Sequence, residues 1–180
     1  MPSKPDLDAA IQNQQAQHLL PIIKGVYDIE SSSGKADTSK PNYAGARGPM
    51  QVRKQTFDDV KKRGLIPEEY KWSNGQHALE AGVAYLKHLS NHYKTTDPRI
   101  LGAAYNGGPS AVNKDGTIDE DRVGDYANKL AAATKKYTPK KSDWDDDTPP
   151  TVPPPPTPAE PEEPLPLPFN FRLGGRVRII

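Results

Sequence analysis

Along the first three quarters of the chain, apolar residues recur at intervals of three and four, and runs of β-branched residues are short. This is the pattern of amphipathic helices rather than of strands. The spacing predicts a first, largely polar helix over residues 7–17, packing through Leu7, Ala10, Ile11 and Gln14. A second follows over residues 19–30, with Pro21 in its first turn, where a missing N–H costs nothing. Thr56 is placed to cap a helix running to Arg63, which Gly64 ends. Ser73 or Asn74 opens the longest helix, to about Tyr93, with Leu79, Gly82, Val83, Leu86 and Leu89 on its buried face. Asp97-Pro98 starts a short helix through Tyr105. A last helix over residues 119–135 turns Val123, Tyr126, Ala127 and Leu130 to one side. The segment 31–47, rich in Ser, Gly, Lys and Asn, reads as a loop. The fold class is therefore mainly α over residues 6–137.

Within the second helix, Ile22, Ile23, Val26 and Tyr27 form the apolar stripe, and Glu30 falls four residues after Val26 on the same face. A carboxyl group held against apolar side chains has its charged form disfavoured, which moves it toward donating a proton near neutrality. An exposed Glu at a helix C-terminus is the other reading of the same local pattern. Glu30 is thus the first candidate for acid/base chemistry.

Past residue 141 the composition changes. Residues 142–168 hold 11 of the 20 prolines, with Pro153 to Pro156 consecutive. An extended polyproline II spacer is expected, and residues 148–168 would reach on the order of 60 Å at ~3.1 Å per residue. In residues 169–180, Phe169, Phe171 and Leu173 alternate with polar residues, and Gly174-Gly175 gives a turn signal before Arg176-Val177-Arg178-Ile179. A short C-terminal β-hairpin, stable only against a partner surface, is the expectation, with a frayed tail as its alternative. The organisation expected is a helical domain over 1–141, a Pro-rich acidic linker over 142–168 and an anchor segment over 169–180.

Composition narrows the chemistry. Of 180 residues none is Cys, which removes disulfides and thiolate metal sites. His88 and His92 stand four apart, but no Glu follows His88 in the zinc-protease pattern, so a solvated pair is expected and no metal or cofactor. No run approaches the ~18 apolar residues of a membrane span, so membrane insertion is not expected. Met1-Pro2-Ser3-Lys4-Pro5-Asp6 lacks the apolar run of a signal peptide, so export by that route is not expected. Residues 142–180 carry seven acids and three bases, leaving 21 bases and 16 acids in residues 1–141. That modest positive balance suits a polyanionic wall polymer but lacks the basic stripe of a nucleic-acid binder.

Three further segments stand with Glu30-Ser31: Gly48-Pro49-Met50-Gln51, Gly82-Val83-Ala84-Tyr85-Leu86 and Ala104-Tyr105-Asn106-Gly107-Gly108-Pro109. In this order they resemble the lysozyme-like domain of soluble lytic transglycosylases, which are related to goose-type lysozymes, over residues 19 to about 130. The resemblance implies a helical, lysozyme-like domain with a cleft and Glu30 as its sole catalytic acid/base. It also implies that Ser39 lies near a sugar acetamido group, that Met50 and Gln51 line the cleft, that Tyr105 bonds or orients Glu30, and that Asn106 is nearby. Thr56 resembles a small polar residue of the family but reads better as a helix cap.

The chain departs from that pattern in three places. Pro49 replaces a Leu, a few residues around Pro41-Asn42-Tyr43 are extra, and Arg122 stands where the family has a late Glu before Tyr126, with Glu120 or Asp121 as conceivable substitutes. The activity implied is cleavage of the MurNAc-GlcNAc β-1,4 bond of peptidoglycan with a 1,6-anhydro product. Hydrolysis, with Asp37 or Asp58 activating water, and a non-catalytic wall-binding role are the alternatives. A wall-degrading domain with a long tail and no signal peptide suggests delivery by a phage virion or secretion apparatus, docked through residues 169–180 and acting in the host periplasm; a plasmid conjugation system is the competitor.

Overall fold

The computed structural model describes residues 5–139, so the expectations for residues 142–168 and 169–180, the hairpin included, lie outside the described residues. The described residues form six α-helices and one two-stranded sheet: α1 (Leu7–Asn13), α2 (Leu20–Ser31), β1 (Ala46–Arg47), β2 (Val52–Arg53), α3 (Lys54–Lys62), α4 (Gly75–Tyr93), α5 (Pro98–Gly107) and α6 (Glu120–Thr134). The fold class is as the spacing predicts.

Most helix starts follow from side-chain caps. Asp6 accepts from the Ala9 N–H, Asn74 from those of Gln76 and His77, Asp97 from that of Arg99, and Asp119 from that of Arg122, each satisfying a backbone donor that the helix leaves free. The helix with Thr56 is an exception to the reading above. It begins at Lys54 with Arg53 as an N-cap that makes no side-chain bond, so Thr56 lies inside the first turn and caps nothing. Gly64, at φ 68°, follows its end as expected. Helix α1 is also shorter than its pattern. After Asn13 the chain reverses at Gln15 (φ 50°), and a 3₁₀ turn, Gln17–Leu19, brings Ala16 and Leu19 into the core. Five amide side chains between Gln12 and Gln17 offer no apolar face to continue the helix, whereas burying Ala16 and Leu19 does stabilise the reversal.

Helix α4 runs through the middle, buried from Ala78 to Leu86 except for Tyr85 and again at Leu89 and Ser90. The β1–β2 hairpin lies on it, paired antiparallel with Ala46 opposite Arg53 and Arg47 opposite Val52. Gly82 makes this possible, since a Cβ there would stand 2.8 Å from Met50 Cβ. Helix α6 packs against both α2 and α5. A Cβ at Gly25 of α2 would lie 2.9 Å from Leu130 Cδ1, and one at Gly102 of α5 would lie 3.1 Å from Leu130 Cδ2, so two glycines seat one leucine. That seating sets the α2–α6 register: five residues on from Gly25 is Glu30, and one turn back from Leu130 is Tyr126.

Candidate active site

Glu30 occupies the last turn of α2, and the chain leaves that turn abruptly. Ser32, Ser33 and Gly34 all have positive φ (51°, 57° and 76°), a conformation that costs the two serines free energy and is held by surrounding bonds. Ser31, fully buried, supplies one of them: its Oγ donates to Tyr27 O at 2.6 Å and accepts from the Gly34 N–H at 2.8 Å. The Ser33 and Ala36 amides close the turn on Asp28 O and Ser31 O. Glu30 is thereby fixed at a rigid helix end facing a cleft.

That cleft has a volume of about 410 Å³ and is lined by Glu30, Gln51, Thr56, Tyr85, Tyr105 and Asn106, together with Asn42, Tyr43, Ala44, Ala46 and Gly107-Gly108. Four residues expected at the site, Glu30, Gln51, Tyr105 and Asn106, therefore come together although three different elements carry them. Glu30 is the sole carboxylate among the lining residues. Its Oε1 accepts a 2.6 Å hydrogen bond from the Tyr126 hydroxyl. Burial raises its pKa above the usual carboxylate range, and the Tyr126 bond, which favours the ionised form, offsets part of that rise. Burial and the neighbouring Glu30 charge in turn push the hydroxyls of Tyr105 and Tyr126 up, so both stay protonated.

The structure places Tyr105, Met50 and Ser39 differently from what was expected. Tyr105 does not hold Glu30; its hydroxyl donates to Met50 O at 2.8 Å, tying α5 to the hairpin, and Tyr126 takes the role assigned to it. Met50 does not line the cleft, because the space left by Gly82 admits its side chain to the core, where it is fully buried. Ser39 lines a separate concavity with Tyr27, Ser31 and Asp37. Its N–H donates to Asp37 Oδ1 and its carbonyl accepts from Arg47 Nη1, which also reaches Ser73 O, and these bonds hold the loop there.

Gln51 is in the cleft but largely engaged. In the left-handed region at φ 49°, it donates from Nε2 to Gly48 O and accepts on Oε1 from Asn42 Nδ2 at 2.7 Å. Thr56, expected as a cap, instead lines the cleft. Arg53, Gln55 and Tyr43 also line it and carried no functional signal in the sequence. Tyr126 carried one, its match to the family's late tyrosine.

The candidate second acids lie elsewhere. Asp58 pairs with Lys54 at 2.6 Å on the surface, and Ser39 bonds hold the exposed Asp37 carboxyl below its usual range. Glu120 pairs with Arg99 at 2.6 Å, and neither it nor Asp121 lines the cleft. Arg122, in the place of the late Glu, donates to Gly107 O and Ser110 Oγ and so braces the Gly107-Gly108 segment.

The Glu30 carboxyl is thus half-buried, bonded by a hydroxyl and set in an open groove with no second carboxylate among the lining residues. The transglycosylase SLT domain matches residues 9–128. The chain belongs to this family. It is a lytic transglycosylase whose substrate is peptidoglycan, and its SLT domain takes in α2, the hairpin, α3 to α5 and the part of α6 that carries Tyr126. Comparison with curated proteins and with solved structures found no match. Among the described residues of the SLT domain, no helix is long and apolar enough to cross a membrane.

Proposed function

We propose that Glu30 alone serves as acid and then base in cutting the MurNAc-GlcNAc β-1,4 bond and closing a 1,6-anhydro ring. Its raised pKa enlarges the protonated fraction at any given pH, and the protonated carboxyl donates to the glycosidic oxygen as the bond to C1 breaks. The substrate's own acetamido oxygen then covers the positive charge at C1. The Glu30 carboxylate removes the proton from the C6 hydroxyl, whose oxygen bonds to C1 as the acetamido oxygen leaves. One proton is given and one taken back, no water is consumed, and Glu30 ends as it began.

The observation that carries this reading is that Glu30 is the lone carboxylate among the residues lining the cleft. A conventional glycosidase uses a pair of carboxylates flanking the bond, and Asp37 and Asp58 are both held outside the cleft. Mass spectrometry of digested peptidoglycan tests it: muropeptides ending in the anhydro sugar are expected. Products heavier by one water would overturn the transglycosylation and favour hydrolysis. Glu30→Gln, which keeps the shape and removes the proton transfer, should abolish turnover; an active variant would rule out Glu30.

The same proposal places the enzyme in a virion or secretion assembly, tethered by residues 142–168 and docked through residues 169–180. It is supported by the abrupt change to an acidic, Pro-rich composition and by the apolar alternation that follows. Deleting residues 142–180 is expected to prevent incorporation into the assembly and leave lysis by the purified protein intact. Normal incorporation of the shortened chain would refute the docking role.

A further inference from the structure

Tyr43 is the one large hydrophobic side chain that stands fully exposed among the described residues, at 103 % of its reference area, and it lines the cleft that holds Glu30. A ring that touches no other side chain adds nothing to the core, yet its backbone is closely held. Asn42 Oδ1 accepts from the Ala44 and Ala46 N–H groups at 2.8 and 3.0 Å, the Asn42 N–H donates to Ala46 O, and the Gly45 N–H donates to Asn42 O. The remaining group of Asn42, its Nδ2, donates to Gln51 Oε1 at 2.7 Å. The tip is thus a small Asx-type turn built onto β1, with one strut to a cleft residue and the ring projecting at the mouth. Gly45, at φ 71°, lets the chain turn back into the strand.

We propose that Tyr43 is a stacking platform that receives the apolar C–H face of a pyranose ring at the mouth of the cleft, and so sets how firmly the enzyme holds a glycan strand. The proposal deepens, and rests on, the reading of this cleft as a glycan-binding site. A β-1,4-linked sugar bears its hydroxyls at the ring edge and hydrogens on its faces, so a flat, amphipathic phenol is the complementary surface. The two polar side chains nearest in the turn are already engaged, Asn42 in its own turn and Gln51 with Asn42 and Gly48, while Arg53 and Gln55 also line the cleft and can bond the hydroxyls at a sugar's edge. Contact with a sugar's apolar face falls to the exposed ring. Such a contact forms equally in ground state and transition state, so it governs KM and leaves kcat alone.

The test compares wild type, Tyr43→Ala and Tyr43→Phe as full chains on soluble, uncrosslinked peptidoglycan strands. Tyr43→Ala should raise KM about three- to tenfold with kcat retained, Tyr43→Phe should match wild type, and all three should melt together because the ring packs on nothing. Binding of the strands by Glu30→Gln, with and without Tyr43→Ala, should show the same loss without turnover. A KM for Tyr43→Ala equal to that of an active wild type would overturn the platform and leave the function of the cleft standing. Tyr43→Phe as weak as Tyr43→Ala would overturn the role of the ring and assign the effect to the hydroxyl. A wild type that neither binds nor cuts the strands would overturn both readings.

Discussion

The hydroxyl of Tyr126 donates to Oε1 of Glu30 at 2.6 Å across 96 residues of sequence, and it does so because Leu130, one turn further along α6, sits in the gap left by Gly25. A helix-packing detail thereby decides the orientation of the acid. The Glu30 carboxyl is held by Tyr126, and the Ser31 turn fixes the helix end that carries it, so the group lines the cleft in a set position. This pre-organisation spares the reaction the cost of ordering the group at the moment of proton transfer.

Removing that donor should change both rate and pH dependence. The Tyr126 bond favours ionised Glu30, so Tyr126→Phe leaves burial unopposed and raises the Glu30 pKa further. The basic limb of the kcat/KM profile, where the general acid loses its proton, is expected to move to higher pH. At the optimum the rate should fall about tenfold, the scale of one charge-assisted hydrogen bond. A pH–rate comparison of the two proteins checks both; an unshifted basic limb would mean that Tyr126 does not tune Glu30.

Glu30 should also cost the fold stability at neutral pH. Its folded pKa is raised, so between the unfolded pKa, ~4.3, and the higher folded value the unfolded chain binds fewer protons than the native one. Stability therefore declines as pH rises through that window and is free of the penalty below it. Glu30→Gln removes the charge, so the variant is expected to melt above wild type at neutral pH and alongside it in acid. Thermal unfolding across pH measures this directly; a gain that persisted below the window would point to some other cause.

The helices were legible because their faces and caps are local. Asp97, Asn74 and Asp119 mark starts that the structure keeps, and the α4 stripe from Leu79 to Leu89 is buried as its spacing requires. Glu30, Gln51, Tyr105 and Asn106 were found through motifs, and all four reach the cleft. What failed depended on side-chain direction across long separations. Whether Met50 points to the cleft or to Gly82, and whether Tyr105 or Tyr126 meets Glu30, is decided by how the hairpin and α6 pack, which no local pattern encodes. Thr56 misled for a related reason: a hydroxyl before an apolar run reads as a cap unless β2 is known to feed straight into α3.

Arg122 occupies the position where the family's late carboxylate is expected, and its bonds to Gly107 O and Ser110 Oγ give it a different task. Arg122→Ala should release the Gly107-Gly108 segment, raising KM for glycan strands a few-fold while lowering stability by about 1 kcal/mol for the lost hydrogen bonds. Arg122→Glu, which restores the carboxylate but cannot donate to Gly107 O, is expected to be at least as impaired. Recovery or improvement of activity in Arg122→Glu would show that the missing acid, and not the brace, matters at this position.

Gly82 offers the sharpest separation of packing from chemistry. In an open helix, Gly→Ala gains about 1 kcal/mol from helix propensity. Here the added Cβ meets Met50 Cβ at 2.8 Å, Met50 Sδ at 3.1 Å and Val52 Cγ2 at 3.1 Å, and Cβ is the least movable of side-chain atoms. Relief requires the hairpin to lift from α4, and overpacking of this kind costs ~1–3 kcal/mol. The two terms oppose each other, and the clash with a fully buried Met50 should win, lowering Tm modestly. The larger effect falls on activity, because lifting Met50 breaks its carbonyl's bond to Tyr105 and carries Gln51 with it. Gly82→Ala is thus expected to lose more in kcat/KM than in stability. Met50→Ala should behave in the opposite sense, costing ~2–5 kcal/mol as a core cavity while leaving the hairpin backbone in place. Paired melting curves and kinetics on the two variants separate these outcomes, and equal behaviour of the two would show that the hairpin's seat on α4 does not govern the cleft.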